Sequence, residues 1–474
     1  MKRSSENVIP RLFLSAVHKS SGKTTVSIGI AAALAARGLA VQTFKKGPDY
    51  IDPMWLARAS GRPCFNLDFN AQTHAEITAS VASRAAHASL ALIEGNKGLH
   101  DGVDIEGSDS SAALAKLLAA PVILVIDTLG MTRGVAPLVL GYRDFDPGIK
   151  IAGIILNKVG VRRQEEKVRQ ALERYTDIPV LGALPRTGDF AIEERHLGLM
   201  TPMETPGPRA AIERMRRAVE SGIDLDRLLA AAASAPPLSY RAAAPQTPAR
   251  QDVRIAIARD NAFGFYYPDD LEAFERLGAK LCFFDALADS RLPDADGLFI
   301  GGGFPETQAA QLEANASLRA DIAHKIRCGL PTYAECGGMM YLARSIRWRD
   351  ASYEMAGIIP AGAVMHARPQ GRGLAVLEET SSAPWPAAAG TTGPARIPAH
   401  EFHYASLENL DPSLRYAYKV LRGTGISDGR DGIVLGNLLA NFSHLRATGD
   451  NPWVARFLHF VRAQRAGPAQ AHTR

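Results

Sequence analysis

The 474-residue chain has only four cysteines, Cys64, Cys282, Cys328 and Cys336. They lie far apart, without the short spacings of metal ligands, so neither a disulfide framework nor a cysteine zinc site organises the fold. That usage fits a reducing compartment. No apolar run approaches the ~20 residues of a membrane span. The polar start, residues 1–7, lacks the core of a signal peptide. A soluble, cytoplasmic protein without membrane partners is therefore expected. Basic runs are also missing: the formal net charge of +5 is spread along the chain, which tolerates anionic ligands but gives no nucleic-acid footprint. Internal repeats are absent too.

What remains is an ordinary globular composition, 46% hydrophobic and 22% charged. The length exceeds one core of usual size, so several domains are expected. Continuous apolar runs at residues 12–17, 40–44, 90–94, 122–127, 151–157 and 180–184 have strand length. An Ala-rich helical stretch, residues 24–37, separates the first two. Such runs between helices predict a parallel sheet covered on both faces. Around residues 231–251 the composition changes to Ala, Pro, Ser and Gln, which reads as a linker. A second strand–helix series starts at residue 254. The expected organisation is an α/β domain over 8–230, a linker over 231–251 and a second α/β domain over 252–465. Residues 381–396, rich in Pro, Ala and Gly, read as a surface loop of the second domain.

The sequence Thr332-Tyr333-Ala334-Glu335-Cys336-Gly337-Gly338-Met339 places a cysteine between an apolar strand and a glycine-mouthed helix. This is the pattern of a nucleophile elbow, which exposes the sulfur and aims helix N–H groups at it. A cysteine that merely packs is the plain alternative; the paired glycines argue against it.

In the first half, Ser21-Gly22-Lys23-Thr24-Thr25 follows the first strand and opens the first helix. It matches the end of a P-loop: backbone N–H groups cradle phosphates, Lys23 reaches the terminal phosphates and Thr24 is placed to ligate Mg²⁺. The first glycine of the common pattern is replaced by Val17. Lys45-Lys46-Gly47-Pro48-Asp49-Tyr50-Ile51-Asp52 and Glu94-Gly95-Asn96-Lys97-Gly98-Leu99-His100-Asp101 each follow a strand. They fall on the carboxyl edge where open α/β sheets bind ligands. Glu94 is placed to reach Mg²⁺, and Asp101 to face substrate or metal, since cations bridging phosphates require carboxylate oxygens. Asp127 ends a strand as a Walker-B-like aspartate does. Asn157 ends the next and is a candidate for reading the adenine edge.

Together these segments resemble the cobyrinic acid a,c-diamide synthase family of glutamine-dependent amidotransferases, over nearly the whole chain. The markers are residues 47–53, Glu94-Gly95 with residues 98–102, Gly301-Gly302-Gly303-Phe304-Pro305-Glu306, and Ala334-Glu335-Cys336-Gly337-Gly338. The resemblance implies a dethiobiotin synthetase-like P-loop fold followed by a class I glutamine amidotransferase fold. It implies that Cys336 attacks the glutamine amide, with His444 as its base and the backbone of Gly302, Gly303 and Gly337 as oxyanion donors. ATP and Mg²⁺ would activate a tetrapyrrole carboxylate for attack by ammonia. The implied assignments are Ser21, Gly22, Lys23, Thr24, Thr25 and Asn157 for nucleotide, Thr24, Asp49 and Glu94 for metal, and Asp49, Tyr50, Ile51, Asn96, Lys97 and Asp101 for substrate. A homodimer is also implied.

Two departures stand out. Arg446 occupies the place, two residues after His444, where many class I amidotransferases carry a glutamate, so a Cys–His pair without an acid is expected. Asn96-Lys97 replaces a more apolar pair. That change is closer to the branch associated with sirohaem amidation, which leaves a corrinoid and a sirohaem-type macrocycle as rival substrates. A P-loop switch ATPase would account for Lys23 and Asp127 but not for Cys336, and an amidotransferase that has lost catalysis and only binds its ligand is the third reading.

Overall fold

In the computed structural model the described residues are 5–186, 194–195, 198–240, 249–387 and 393–466. The chain divides into two units, Met1–Ala244 and Pro245–Arg474.

The first unit begins with β1 (Ser5–Asn7), β2 (Arg11–Ala16), α1 (Lys23–Ala36), β3 (Val41–Lys46), α2 (Ile51–Ser60), β4 (Phe65–Leu67) and α3 (His74–Arg84). It continues with β5 (Leu90–Glu94), α4 (Ser111–Leu117), β6 (Val122–Asp127), α5 (Val135–Phe145), β7 (Ile151–Val159), α6 (Arg162–Tyr175) and β8 (Val180–Pro185). Seven of these strands form one parallel sheet in the order β4-β3-β5-β2-β6-β7-β8. Phe13, Ile93, Leu124 and Ile154 are fully buried, as strands covered on both faces require. The loops after β2, β3 and β5 share the carboxyl edge of adjacent strands, so the predicted motifs converge there.

Arg11 ties the opposite edge. Its buried guanidinium donates to the Leu118 carbonyl at 2.6 Å and the Pro236 carbonyl at 2.7 Å. The first carbonyl belongs to the end of α4, where a cation satisfies otherwise orphaned groups. The second belongs to the segment expected to be linker. Helix α7 (Pro208–Gly222) is followed by α8 (Leu225–Ala233), and Leu238–Tyr240 pairs with β1. Residues 231–240 are thus part of the first unit's structure: their alanines continue a capped helix, and Leu238 is buried. Residues 241–248 lie outside the described residues.

The second unit is built on a nine-stranded sheet. Ala279–Phe284, Val253–Ala258, Gly297–Ile300, Thr332–Glu335 and Leu438–Asn441 run parallel, and Arg430–Leu435, Arg415–Arg422, Gly371–Glu379 and Arg396–His403 extend the sheet antiparallel. The helix Trp453–Arg465 covers one face. Its Trp453 sits 4.9 Å from Tyr333 and 5.5 Å from Phe274, ring centroid to centroid. Aromatic pairs of this kind add about 0.5–1.5 kcal/mol each beyond area burial, and they fix the strand that delivers Cys336. Trp385 belongs to the same cluster, 5.0 Å from Tyr333 and only 4% exposed. The stretch 381–396 is therefore not simply a surface loop, because its tryptophan needs the core. Residues 388–392 within it lie outside the described residues.

Candidate active site

Thr332–Glu335 is a central strand, and Gly337–Leu342 is the helix that follows it directly. Turning between them in one residue forces Cys336 to φ 45° and ψ −102°, a backbone state costing about 1–3 kcal/mol for a side chain with Cβ. Two hydrogen bonds hold it there. The Cys336 N–H donates to the Asn441 carbonyl at 2.7 Å, and the Met340 N–H donates to the Cys336 carbonyl at 3.0 Å. The elbow predicted from the glycines is thus present, with the sulfur against His444.

His444 is 3% exposed. Burial alone would depress its basicity, but hydrogen bonds to the Cys336 sulfur and to Glu335 raise its pKa to about 10. The imidazole therefore carries its proton at neutral pH. The carboxylate is the surprise. Glu335 Oε2 lies 3.2 Å from His444 Nδ1, while Oε1 accepts the Tyr333 hydroxyl at 2.6 Å and the Leu445 N–H at 2.9 Å. The expected acid-free pair is corrected to a Cys336–His444–Glu335 triad, whose acid precedes the nucleophile instead of following the histidine. Arg446, at the expected acid's place, pairs with Asp269 at 2.8 Å and lies over the Tyr267 ring. A signal was available in the sequence: a carboxylate in a four-residue buried strand must be paired.

Two further features fix the His444 ring. His400 stacks on it at 4.8 Å with an interplanar angle of 15°. Burial and the neighbouring His444 push the His400 pKa well below the usual imidazole range, so one ring is charged and the other neutral. Gly302 leaves room on the other side: a Cβ there would come within 2.7 Å of His444 Cε1. A Cβ on Gly337 would lie 3.0 Å from the Gly303 nitrogen, so the three glycines expected at the oxyanion site surround Cys336 and His444.

In the first unit, the P-loop turns through Gly22 at φ 86°. Asn157 Nδ2 donates to the Ser21 carbonyl at 2.8 Å, and a Cβ on Gly22 would strike that nitrogen at 2.2 Å. Asn157, expected to read adenine, is thus engaged in holding the P-loop. Ser21 donates its hydroxyl to the His18 carbonyl, and Thr25 lies half-buried on α1. Lys23 Nζ donates to the Lys97 carbonyl at 2.6 Å. Burial and the nearby Lys45 lower the Lys23 pKa to about 8.

Thr24 Oγ1 donates to Glu94 Oε1 at 2.7 Å and lies 3.2 Å from Asp52 Oδ2. Lys45 bridges the same carboxylates, 2.6 Å from Glu94 and 2.5 Å from Asp52. The parallel register that sets Lys45 beside Glu94 makes this contact. Asp49 is placed differently from Glu94: its Oδ1 accepts the N–H groups of Ile51 and Asp52 at 2.9 and 3.1 Å, capping α2. Burial and the adjacent Asp52 raise its pKa to about 7. Tyr50 and Ile51 are buried at the same turn. Asn96 and Lys97 follow β5, and Asp101 Oδ2 accepts the Gly98 N–H at 2.9 Å. Asp127 is bound to Lys158 at 2.8 Å; Glu94 takes the place beside Thr24. Asp52 and Lys45 were given no role from the sequence: the register of β3 beside β5 brings Lys45 to Glu94, and the first turn of α2 brings Asp52 to Thr24.

The two sites define a class: a P-loop nucleotide-binding unit joined in one chain to a cysteine amidotransferase unit. Residues 18–199 match the CobQ/CobB/MinD/ParA nucleotide binding domain, and residues 254–452 the CobB/CobQ-like glutamine amidotransferase domain. The cobyrinate a,c-diamide synthase of Magnetococcus marinus is 46% identical, over 96% of this chain and 97% of its own. Those of Methanosarcina acetivorans and Dehalococcoides mccartyi strain 195 are 39% and 40% identical, over 92% and 96% of this chain and 92% and 98% of theirs. The chain belongs to the cobyrinate a,c-diamide synthase family. Among the described residues no helix is long and apolar enough to cross a membrane.

Proposed function

We propose that the chain is an ATP- and glutamine-dependent amide synthase acting on the a and c acetate carboxylates of cobyrinate. The observation that carries this reading is the Cys336–His444–Glu335 triad in the same chain as the Thr24–Glu94 cage, over a full-length likeness to enzymes so named. An ammonia source is useful only to an enzyme that also activates an acceptor.

In the second unit, the Cys336 sulfur attacks the glutamine carboxamide and the Gly302, Gly303 and Gly337 backbone stabilises the oxyanion. His444 hands its proton to the leaving ammonia, and then takes one from the water that hydrolyses the thioester. Glu335 keeps the His444 proton on Nδ1, so that Nε2 serves the sulfur. In the first unit, a substrate carboxylate takes the terminal phosphoryl group of ATP; ammonia then displaces phosphate from the acyl phosphate and leaves the amide. Lys23 and the P-loop N–H groups hold the phosphates, and Asp49, Tyr50, Ile51, Asn96, Lys97 and Asp101 line the acceptor side.

The donors fit Mg²⁺ brought in with ATP. Glu94 Oε2 is buried without a hydrogen-bond partner, and Thr24 and Asp52 set further oxygens beside it. Such an ion would draw its remaining ligands from phosphate and water. Mg²⁺ held by Thr24, Glu94 and Asp52, with Asp49 adjacent, would neutralise phosphate charge. A cytoplasmic homodimer belongs to the same reading and rests on family resemblance alone.

The test is amide formation by the purified chain with Mg-ATP, glutamine and either cobyrinic acid or sirohaem. Cobyrinate a,c-diamide is expected, and Cys336→Ser should lose glutamine-dependent synthesis while keeping synthesis from free ammonia. Turnover of sirohaem alone would replace the macrocycle; turnover of neither would overturn the reading.

A further inference from the structure

Consecutive lysines end β3, and strand alternation sends them to different surroundings. Lys45 is saturated by Glu94 and Asp52, with Asp49 at 3.9 Å. Lys46 is as deeply placed, 6% exposed, yet among the described residues its ammonium donates to a neutral oxygen, Asn96 Oδ1 at 3.1 Å, and pairs with no carboxylate. Removing an ammonium from water costs several kcal/mol unless a negative partner compensates, and an amide oxygen supplies only part of that. Asp68 and Asp109 attract the ammonium without forming an ion pair with it. Asp68 Oδ1 accepts the Asn70 N–H at 3.0 Å, and Asp109 Oδ1 the Val103 N–H at 2.7 Å.

Asn96 is held for this role. The Ser111 hydroxyl donates to its carbonyl at 3.0 Å, and its Nδ2 passes 3.1 Å from where Gly47 would carry a Cβ. The absence of that Cβ lets the Asn96 amide lie against the Gly47 turn, next to Lys46. With one ammonium hydrogen spent on Asn96 Oδ1, the remaining ammonium hydrogens and the Asn96 amide hydrogens are donors without a charged acceptor. A carboxylate is the group that satisfies both, through charge-assisted bonds. The site lies on the rim that carries Asp49 and Asp101, so its ligand arrives with the acceptor substrate. Asn96, moreover, stands where the family resemblance has an apolar residue, and the structure shows it bonded to Lys46.

We propose that Lys46 and Asn96 form a receptor for a carboxylate of the macrocycle other than the one undergoing amidation, and so select polycarboxylate substrates and fix their register. This rests on the function proposed above. In this proposal Lys46 is a specificity residue and does not touch the carboxylate undergoing amidation.

The experiment measures ammonia-supported amidation of cobyrinic acid, and of the same macrocycle with its propionate carboxylates methyl-esterified, by the wild-type chain and by Lys46→Met, Lys46→Arg and Asn96→Val. The wild type should prefer the free acid by tenfold or more in KM. Lys46→Met and Asn96→Val should raise KM for the free acid at least tenfold and abolish that preference, with KM for ATP and glutaminase activity within twofold of wild type and, for Lys46→Met, a melting temperature no lower than wild type. Lys46→Arg should restore KM to within threefold. An unchanged macrocycle KM in Lys46→Met, or equal rises for ATP and macrocycle, would overturn the inference while the proposed function stands. Wild-type turnover of neither acid nor ester overturns both.

Discussion

Glu335→Gln is the sharpest perturbation of the amidotransferase site, because it changes one atom and leaves volume intact. The carboxylate accepts three hydrogen bonds, from Tyr333, Leu445 and His444. A glutamine oxygen with two lone pairs can keep the Tyr333 and Leu445 donors. The new NH₂ then faces His444 Nδ1, where two donors oppose each other. The imidazolium escapes by giving up its Nδ1 proton, which leaves a neutral ring whose one hydrogen sits on Nε2, the nitrogen that should serve Cys336. In a triad, that wrong tautomer lowers kcat by up to ~10⁴-fold. A partial rearrangement gives a lower bound of roughly 10²-fold, equivalent to about 2.7 kcal/mol of barrier. The mispaired buried donor also costs about 1–3 kcal/mol of stability, a shift of several degrees in melting temperature for a unit of this size. Glutaminase turnover should therefore fall at least a hundredfold, while ammonia-supported amidation, which bypasses the triad, stays within about twofold. Glutaminase activity within threefold of wild type in a folded Glu335→Gln protein would refute the role given to Glu335.

The His444 shift makes stability depend on pH. Its folded-state pKa of about 10 lies above the ordinary 6.5, so the folded protein holds this proton more tightly. The contribution is complete below pH 6.5 and is lost as pH rises through about 10. Thermal melts should decline across that window, and less steeply in Glu335→Gln; equal slopes would assign the decline to other groups. Gly302→Ala pushes a methyl toward His444 Cε1 and must displace the ring. Displacement on the ångström scale costs roughly 10²-fold in rate, so glutaminase should fall that far with ATP binding unaltered. Unaltered glutaminase would mean that the glycine loop yields and the ring does not.

The parallel sheets were legible because burial on both faces demands unbroken apolar runs. The strands Leu90–Glu94 and Val122–Asp127 have the limits their composition predicts. Cys336 was legible because its turn needs glycines as neighbours. Trp385 and residues 231–240 were misjudged for the converse reason. Alanine and proline mark a loop or linker by composition, but one buried ring or one capped helix turn outweighs that signal. Lys45 escaped because sequence spacing carries no information about which strand lies alongside, and Asp52 because it says nothing of which loop the first turn of α2 meets. Lys45 meets Glu94 only because β3 and β5 are neighbours in register.

Glu335 shows a different limit. Family patterns look for the acid of a triad at a fixed distance from its histidine, yet the requirement is spatial: a carboxylate within reach of Nδ1. Here the strand that presents the nucleophile supplies it. Tyr333 and Glu335 share one face of that strand, and the His444 ring lies where that face meets the elbow. Placing both groups on one rigid element fixes the acid relative to the sulfur, while the histidine comes from a distant part of the chain. His400, stacked on His444 and joined to it by backbone bonds in both directions, then does for the histidine what the strand does for the acid. Arg446, two residues after His444, pairs instead with Asp269.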